Sequence, residues 1–453
     1  MLSAAIMLAT LVVLCIIFIN PKLGTYLIWL ILFTYPQGWW FEHSYLPLNI
    51  GVDDLFCLTL FVMVLVRRNL FGRIPIRFGY AFWTILAFVF VAVIANIVGS
   101  RDAPSAERIF YVKDIMKLGV YFALFYAILH CIDDVRDLKI QLTMFSFAAV
   151  AGAVIVILHY FYPIRMEAWA NPGDIERMGI VYEGRATGAF LNANAAACVL
   201  GCSLMLVITS IRLQKTLISK TITYTFIFVL LAGVLVTKSR AGLIAIAGVL
   251  VLMAFVGRGK KFAWLVIIAA IIIGGFFSGV KQLYEERLVG IYDPVTGVWT
   301  ENVAVRFELW SSYLKTATAK DYLLGQGFRQ GMVRNGAESH SAYISLITVY
   351  GIGGVLWAFI ALVLFLKRSI MLRHSSNPLI KVIAEGCIWA FLAWGIYAIT
   401  ADAISDHYGR YLLFYLVVIL DRATFLFRQE QLQQLASEES FTETWNPQIQ
   451  ESY

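Results

Sequence analysis

The sequence predicts an all-α fold: a polytopic integral membrane protein of about 12–13 transmembrane helices with one long loop on the non-cytoplasmic side. Three observations carry that prediction. The chain of 453 residues is 60% hydrophobic and only 14% charged, with a mean hydropathy of +0.76. A soluble domain carries about 25% charged residues. Apolar runs approaching the roughly 20 residues that cross a bilayer recur along its length, and Lys and Arg gather in alternate short connections, the pattern that sets orientation.

Taken in order, the runs fall at about 2–19, 23–36, 54–66, 79–98, 115–131, 139–162, 190–209, 221–237, 241–256, 262–279, 341–366, 380–401 and 409–426. The first lacks a basic leader region, its first cation being Lys22, so it reads as a retained span. Basic clusters at Arg67, Arg68, Arg73 and Arg77, at Arg212, Lys215 and Lys220, at Arg258, Lys260 and Lys261, and at Lys367, Arg368, Arg373 and Lys381 belong to the cytoplasmic side. The opposite side then receives 37–52, 99–114, 163–188, the tight turn 238–240, the long loop 281–340, and 402–408. This gives a membrane domain over 1–426 and a cytoplasmic tail over 427–453. The tail's Gln, Glu and Ser leave little to bury and predict disorder after about Ala436.

The net charge of +7 is split among many short loops and forms no single basic face, which excludes a nucleic-acid binder. The six cysteines sit in or beside apolar runs, so no disulfide framework is implied. Cys198 and Cys202 lie one helical turn apart, but no histidine or carboxylate lies nearby in that helix, and they read as small buried hydrophobes.

The non-cytoplasmic loops should be poor in cations, yet Arg108, Lys113, Lys117, Arg185, Lys238, Arg240, Arg306, Arg329 and Arg334 fall there. A cation at a membrane boundary is costly unless it is paired or meets an anionic ligand. Local pairs account for single members: Arg108 with Glu107, Lys113 with Asp114, Arg306 with Glu308. A shared anionic ligand accounts better for the set.

Three stretches concentrate the chemistry. Arg185 precedes Gly188, Asn192 and Asn194 at the mouth of a span, where either asparagine caps the helix and free backbone N–H groups face an anion. Lys238-Ser239-Arg240-Ala241-Gly242 joins two spans with almost no loop; its small residues suit a tight turn, its two cations do not. His340, between Glu338 and Ser341, opens another span, and histidine is the usual general base near neutral pH. Asp402, Asp406 and His407 form one further polar group, of metal-compatible spacing, read as a polar loop with a possible acceptor contact.

These stretches carry a resemblance. His340-Ser341, nine residues, then Gly351-x-x-Gly354 resembles the O-antigen ligase pattern of His-[Asn/Ser/Gln], nine residues, Gly-x-x-[Gly/Thr/Tyr]. The Arg185 stretch is similar to that family's Arg-x-x-Gly-x-Phe-x-Asn-x-Asn segment, and Ser239-Arg240-Ala241 to its Ser-Arg-[Gly/Ala] hairpin. Arg306-Phe307-Glu308-Leu309-Trp310 followed by Leu324-Gly325-Gln326-Gly327 resembles the loop leading to its histidine. The four motifs span Arg185 to Gly354; the part before them matches only in being helical.

The resemblance implies a bacterial inner-membrane glycosyltransferase of the O-antigen ligase and O-antigen polymerase type, its active site facing the periplasm. It implies an undecaprenyl-diphosphate-linked glycan as donor, a glycan or lipid A core sugar as acceptor, membrane lipids as surroundings, and no cofactor and no metal. Carried over, Arg185 and Arg240 grip the donor diphosphate, with Arg306, Lys117 and Lys113 as weaker candidates. His340 activates the acceptor and Glu338 orients His340. The residues themselves agree on chemistry, since displacement at an anomeric carbon needs cations for the departing diphosphate and one base for the incoming hydroxyl. Two other readings stay open: a polysaccharide polymerase with the same donor, and a lipid-linked glycan transporter, which predicts mid-membrane charges and paired interrupted helices.

Overall fold

The computed structural model describes residues 2–35, 51–71, 78–101, 103, 108–162, 169, 186–190, 192–256, 264, 267–268, 301–335 and 338–445. Among them there are helices and no strand, an all-α polytopic membrane protein. Most of the run at 262–279, the cluster at 258–261, and most of the connections at 37–52 and 163–188 lie outside the described residues.

The chain first forms α1 (Leu2–Ile19) and α2 (Pro21–Thr34). Asn20 separates them: its side-chain oxygen accepts from Leu23 N at 3.3 Å, and Pro21 supplies a first turn that needs no donor. Then come α3 (Val52–Phe71), α4 (Tyr80–Arg101), α5 (Arg108–Cys131) and α6 (Val135–Phe161), the last capped by Asp134, which accepts from Asp137 N at 2.7 Å. They are followed by α7 (Ala193–Ser210), α8 (Leu217–Thr237) and α9 (Arg240–Val256). The long loop contributes α10 (Glu301–Thr316), α11 (Ala319–Leu324) and α12 (Phe328–Asn335). The chain continues with α13 (Ala342–Thr348), α14 (Gly351–Leu372), α15 (Pro378–Thr400) and α16 (His407–Trp445).

Among the described residues α4, α6, α7, α8, α14 and α15 are long and apolar enough to cross a membrane. Burial separates their roles: the α7 segment is 83% buried and that of α14 only 22%, so α7 is the axis and α14 a lipid-facing wall. The small residues of α7 make this possible by letting neighbours approach closely. A Cβ at Gly242 would stand 2.4 Å from Ala197 Cβ, and one at Gly201 would stand 2.6 Å from Ile246. Beside this axis, Trp29, Phe145 and Tyr415 tie α2, α6 and α16; the Phe145 and Tyr415 rings stack at 4.0 Å and Trp29 meets Tyr415 edge-on at 4.8 Å.

Two of the expected boundaries change. The run at 341–366 is two helices, broken between Thr348 and Gly351. And α16 continues to Trp445, past the point where composition predicts order to end. Gln, Glu, Leu and Ala are good helix formers, and a span already formed removes the nucleation cost for the residues that follow it.

Connections that the charge pattern assigns to one side do meet one another. Arg212 bonds both oxygens of Glu385, and Asp421 accepts from Tyr80 N at 3.0 Å, at the end rich in basic connections. At the other end Lys117 pairs with Asp54, His407 meets Asp53 at 3.0 Å and Arg329 meets Asp114 at 3.0 Å.

Candidate functional site at the His340 end

The His340 loop is built around one buried carboxylate. Asp402, 6% exposed, accepts from the hydroxyl of Ser345 and from that of Ser339 at 3.2 Å on one oxygen, and from Ser405 N at 3.2 Å on the other. Ser339 O accepts the Trp310 indole N–H at 2.8 Å, and Ala342 N donates to Ala401 O at 3.2 Å. These bonds fix the backbone on both sides of His340, which is held in the left-handed region at φ +50°. A non-glycine residue is strained there, and such strain persists only where the surroundings over-determine it. The consequence is an exposed imidazole. Burial of the loop and the nearby Arg306 guanidinium hold its pKa below 6.5, so it is neutral and basic at neutral pH.

Glu338 is half-buried beside the same cluster. Burial, reinforced by the charges of Asp402 and Asp406, raises its pKa to about 7. Asp402 itself is pushed up to about 6 by burial, against the hydrogen bonds it receives. Among the described residues, no hydrogen bond or ion pair engages the side chain of Glu338 or of His340. Glu338, expected to orient His340, makes no described hydrogen bond to it; Asp402 and the serines position the loop, and Glu338 is a second ionisable group near neutrality.

The helix break beside this loop gives Leu324-Gly325-Gln326-Gly327 its meaning. Ending α13 at Thr348 leaves carbonyls without helical partners. Gln326 N donates to Thr348 O at 3.1 Å and Gly327 N to Val349 O at 3.1 Å, so the segment is a backbone strap across the break. It lies so close that a Cβ at Gly325 (φ +82°) would stand 2.4 Å from Val349 O, and one at Gly351 (φ +65°) 2.6 Å from Gly325 N.

A second group forms at the Lys238–Gly242 hairpin. Lys238 ends α8 at φ +51°. Ser239 Oγ accepts from Gly242 N at 3.3 Å, capping α9, and donates to Asn194 Oδ1 at 2.8 Å. Asn192 caps α7 by accepting from Asn194 N at 2.7 Å, which settles which asparagine caps. The N-termini of α7 and α9 are thus joined by one hydrogen bond. Arg240, half-buried in the first turn of α9, has no hydrogen-bond or ion-pair partner among the described residues. A cation there opposes the helix dipole and calls for an anion.

Arg185 lies outside the described residues. Its neighbour Ala186 donates to Val236 O at 3.3 Å, and Gly188 N donates to His159 Nδ1 at 3.0 Å, which brings the described end of that segment to the hairpin. Arg306 donates to Thr400 O at 2.9 Å and lends its charge to the His340 loop. The two groups share a wall: α15 packs against α9, where Ile396 lies 3.6 Å from a Cβ built at Gly248, and against α13, where Tyr343 bonds Gly395 O at 3.0 Å.

Other expected cations have structural work. Lys117 pairs with Asp54, Arg329 with Asp114 and Arg334 with Asp321 at 2.7 Å, so three of the nine are matched by carboxylates. Asp114, expected beside Lys113, is thus taken by Arg329; Lys113 stands half-buried near Lys117 and Arg329. Asp402, Asp406 and His407 do not converge: Asp406 accepts from Gly409 N at 2.8 Å, while His407 bridges Asp53 and the Tyr121 hydroxyl. Among the described residues no group of three such side chains is arranged to hold a metal ion. The sequence reading missed Asp402 as organiser and Asp53-Asp54 as anchor; a carboxylate pair at the head of an apolar run was the signal for the second.

Compared with family profiles, curated proteins and solved structures, the chain gives no match.

Proposed function

We propose that the chain is a membrane glycosyltransferase of the O-antigen ligase and polymerase type, moving a glycan from undecaprenyl diphosphate to an acceptor hydroxyl at the periplasmic face of the inner membrane. One observation carries the reading: at the end where Lys117, Arg329 and Arg334 are paired with carboxylates, His340, Glu338 and Arg240 present ionisable groups that no described residue hydrogen-bonds or ion-pairs. Groups held in place by the fold and left open are what a substrate requires.

In this reading the acceptor O–H loses its proton to neutral His340, or to the Glu338 carboxylate, as the oxygen attacks the anomeric carbon. The bond from that carbon to the diphosphate oxygen breaks with inversion. The diphosphate departs with its charge met by Arg240, by Arg185 and by the paired N-termini of α7 and α9. Burial of the loop, with the Arg306 charge, keeps the imidazole neutral, and Lys113, half-buried beside Lys117 and Arg329, stays a weaker diphosphate candidate. Lys117 acts through Asp54, as part of the scaffold.

The break at Val349–Gly351 is the one observation that favours a transporter. Its carbonyls, however, are met by the strap at Gln326–Gly327, and among the described residues no second span is broken in this way. Complementation separates the readings. In a strain lacking a ligase, restored attachment of long chains to lipid A core supports ligation. Restored chain length in a strain lacking a polymerase supports polymerisation. Export of lipid-linked glycan with no transfer would sink both. Transfer should also persist in EDTA, because arginines replace a divalent ion at the leaving group.

A further inference from the structure

The basic end of the bundle holds a cavity of about 880 Å³ that has no part in the activity proposed above. It opens between α4, α14 and α16, with apolar walls from Trp83, Ala87, Val91, Ile360 and Leu364. Two of its buried lining residues satisfy each other, the Trp357 indole N–H donating to Thr84 O at 2.8 Å. Its lining also carries Arg368, Arg422 and Arg428 with, among the described residues, a single carboxylate, Asp421. Asp421 is already engaged, accepting from Tyr80 N at 3.0 Å at the start of α4. Tyr80 also supports Arg368, whose guanidinium lies 4.2 Å from the ring centroid, while the Arg368 Nε is buried without a hydrogen-bond partner. Arg422 donates Nε–H to Ile132 O at 3.0 Å, which anchors it, and Arg428 is exposed.

We propose that this groove binds an anionic glycerophospholipid, its phosphate diester on Arg368 and Arg428 and one acyl chain along the apolar walls. Charge complementarity commits the occupant: Arg368 and Arg428 are added to a lining whose one described carboxylate, Asp421, is engaged and whose third guanidinium, Arg422, is buried and anchored, at the end whose basic connections place it in the anionic leaflet. Guanidinium forks suit phosphate oxygens, and the Tyr80 ring holds one fork in position before the lipid arrives.

The test is native mass spectrometry of the full chain in detergent, with equimolar phosphatidylglycerol and phosphatidylcholine added. The expected result is a preference for phosphatidylglycerol on the order of tenfold. The double variant Arg368→Gln, Arg428→Gln should abolish it, and Arg368→Lys should retain part of it. Ala87→Trp, which fills the groove without changing charge, should weaken retention of the lipid. Arg373→Gln, exposed at the same end but outside the groove, should leave the preference intact. An unchanged preference in the double variant overturns the proposal, as does an equal loss in Arg373→Gln, which would mean diffuse attraction. Stronger retention of a polyprenyl phosphate than of phosphatidylglycerol overturns the assignment of the occupant.

Discussion

Arg212 and Arg240 stand at opposite ends of the bundle, one closing α7 and the other opening α9. Arg212 lies just past a helix C-terminus, where a cation agrees with the dipole, and it bonds both oxygens of Glu385, the second at 3.2 Å. Arg240 lies at a helix N-terminus, against the dipole, with no described partner. The two differ in nothing that composition records. Their surroundings separate a cation that serves the fold from one that the fold tolerates. The same contrast runs through the His340 end, where Lys117, Arg329 and Arg334 are matched by carboxylates while His340 and Glu338 are left open.

The comparison is broken most directly by removing the open groups. Arg240→Ala and His340→Ala should each lower glycan transfer by at least about 100-fold, the scale of one general base or one charge-stabilising group. Membrane levels by immunoblot should stay normal, because neither side chain carries a bond of the fold. Full transfer in either variant would remove that residue from the site.

Gly351→Ala tests the scaffold. It places a Cβ 2.6 Å from Gly325 N at a positive φ, and a loss of about 1–3 kcal/mol or more is expected, read as a lowered unfolding temperature. A variant as stable as the parent would mean that the strap does not hold the break closed.

The pH profile sharpens the comparison further. Glu338, raised to about 7, is a carboxylate only above that value, whereas His340, lowered below 6.5, is already neutral there. If Glu338 takes the proton, transfer rises with pH through about 7, and Glu338→Gln flattens that limb. If His340 takes it, the rise falls below pH 6.5 in both proteins. The smallest effect belongs to Arg212→Ala: roughly 1 kcal/mol of stability, between the values for exposed and buried pairs, with transfer unchanged.

Much of the fold was legible in the sequence. Twelve of the thirteen apolar runs coincide with described helices, because a bilayer leaves the backbone few alternatives to helix. The end of α13 was not legible. Ala342 to Leu372 is apolar almost throughout, and the break depends on Gln326 and Gly327 arriving from a distant segment. His340 at a helix mouth could be read from local pattern, whereas Ser239 read only as a small turn residue and its cap on α9 emerges from the structure. Asp402 could not, since its partners Ser339, Ser345 and Ser405 come together only through the turn after α15. Nor could composition distinguish Lys117 from Arg240, which required knowing where Asp54 falls.

The strap over Thr348 and Val349 also sets an order of assembly. Until Gln326 and Gly327 are in place, two carbonyls about two turns inside the apolar run 341–366 lack the donors they meet in the fold, at a cost of roughly 1–3 kcal/mol for each one buried. The segment from α10 to α12 precedes that span in the chain, so translation delivers the donors before the acceptors. The break can therefore close as soon as α13 is made. A protein whose strap was encoded after the span would have to hold those carbonyls open while synthesis continued.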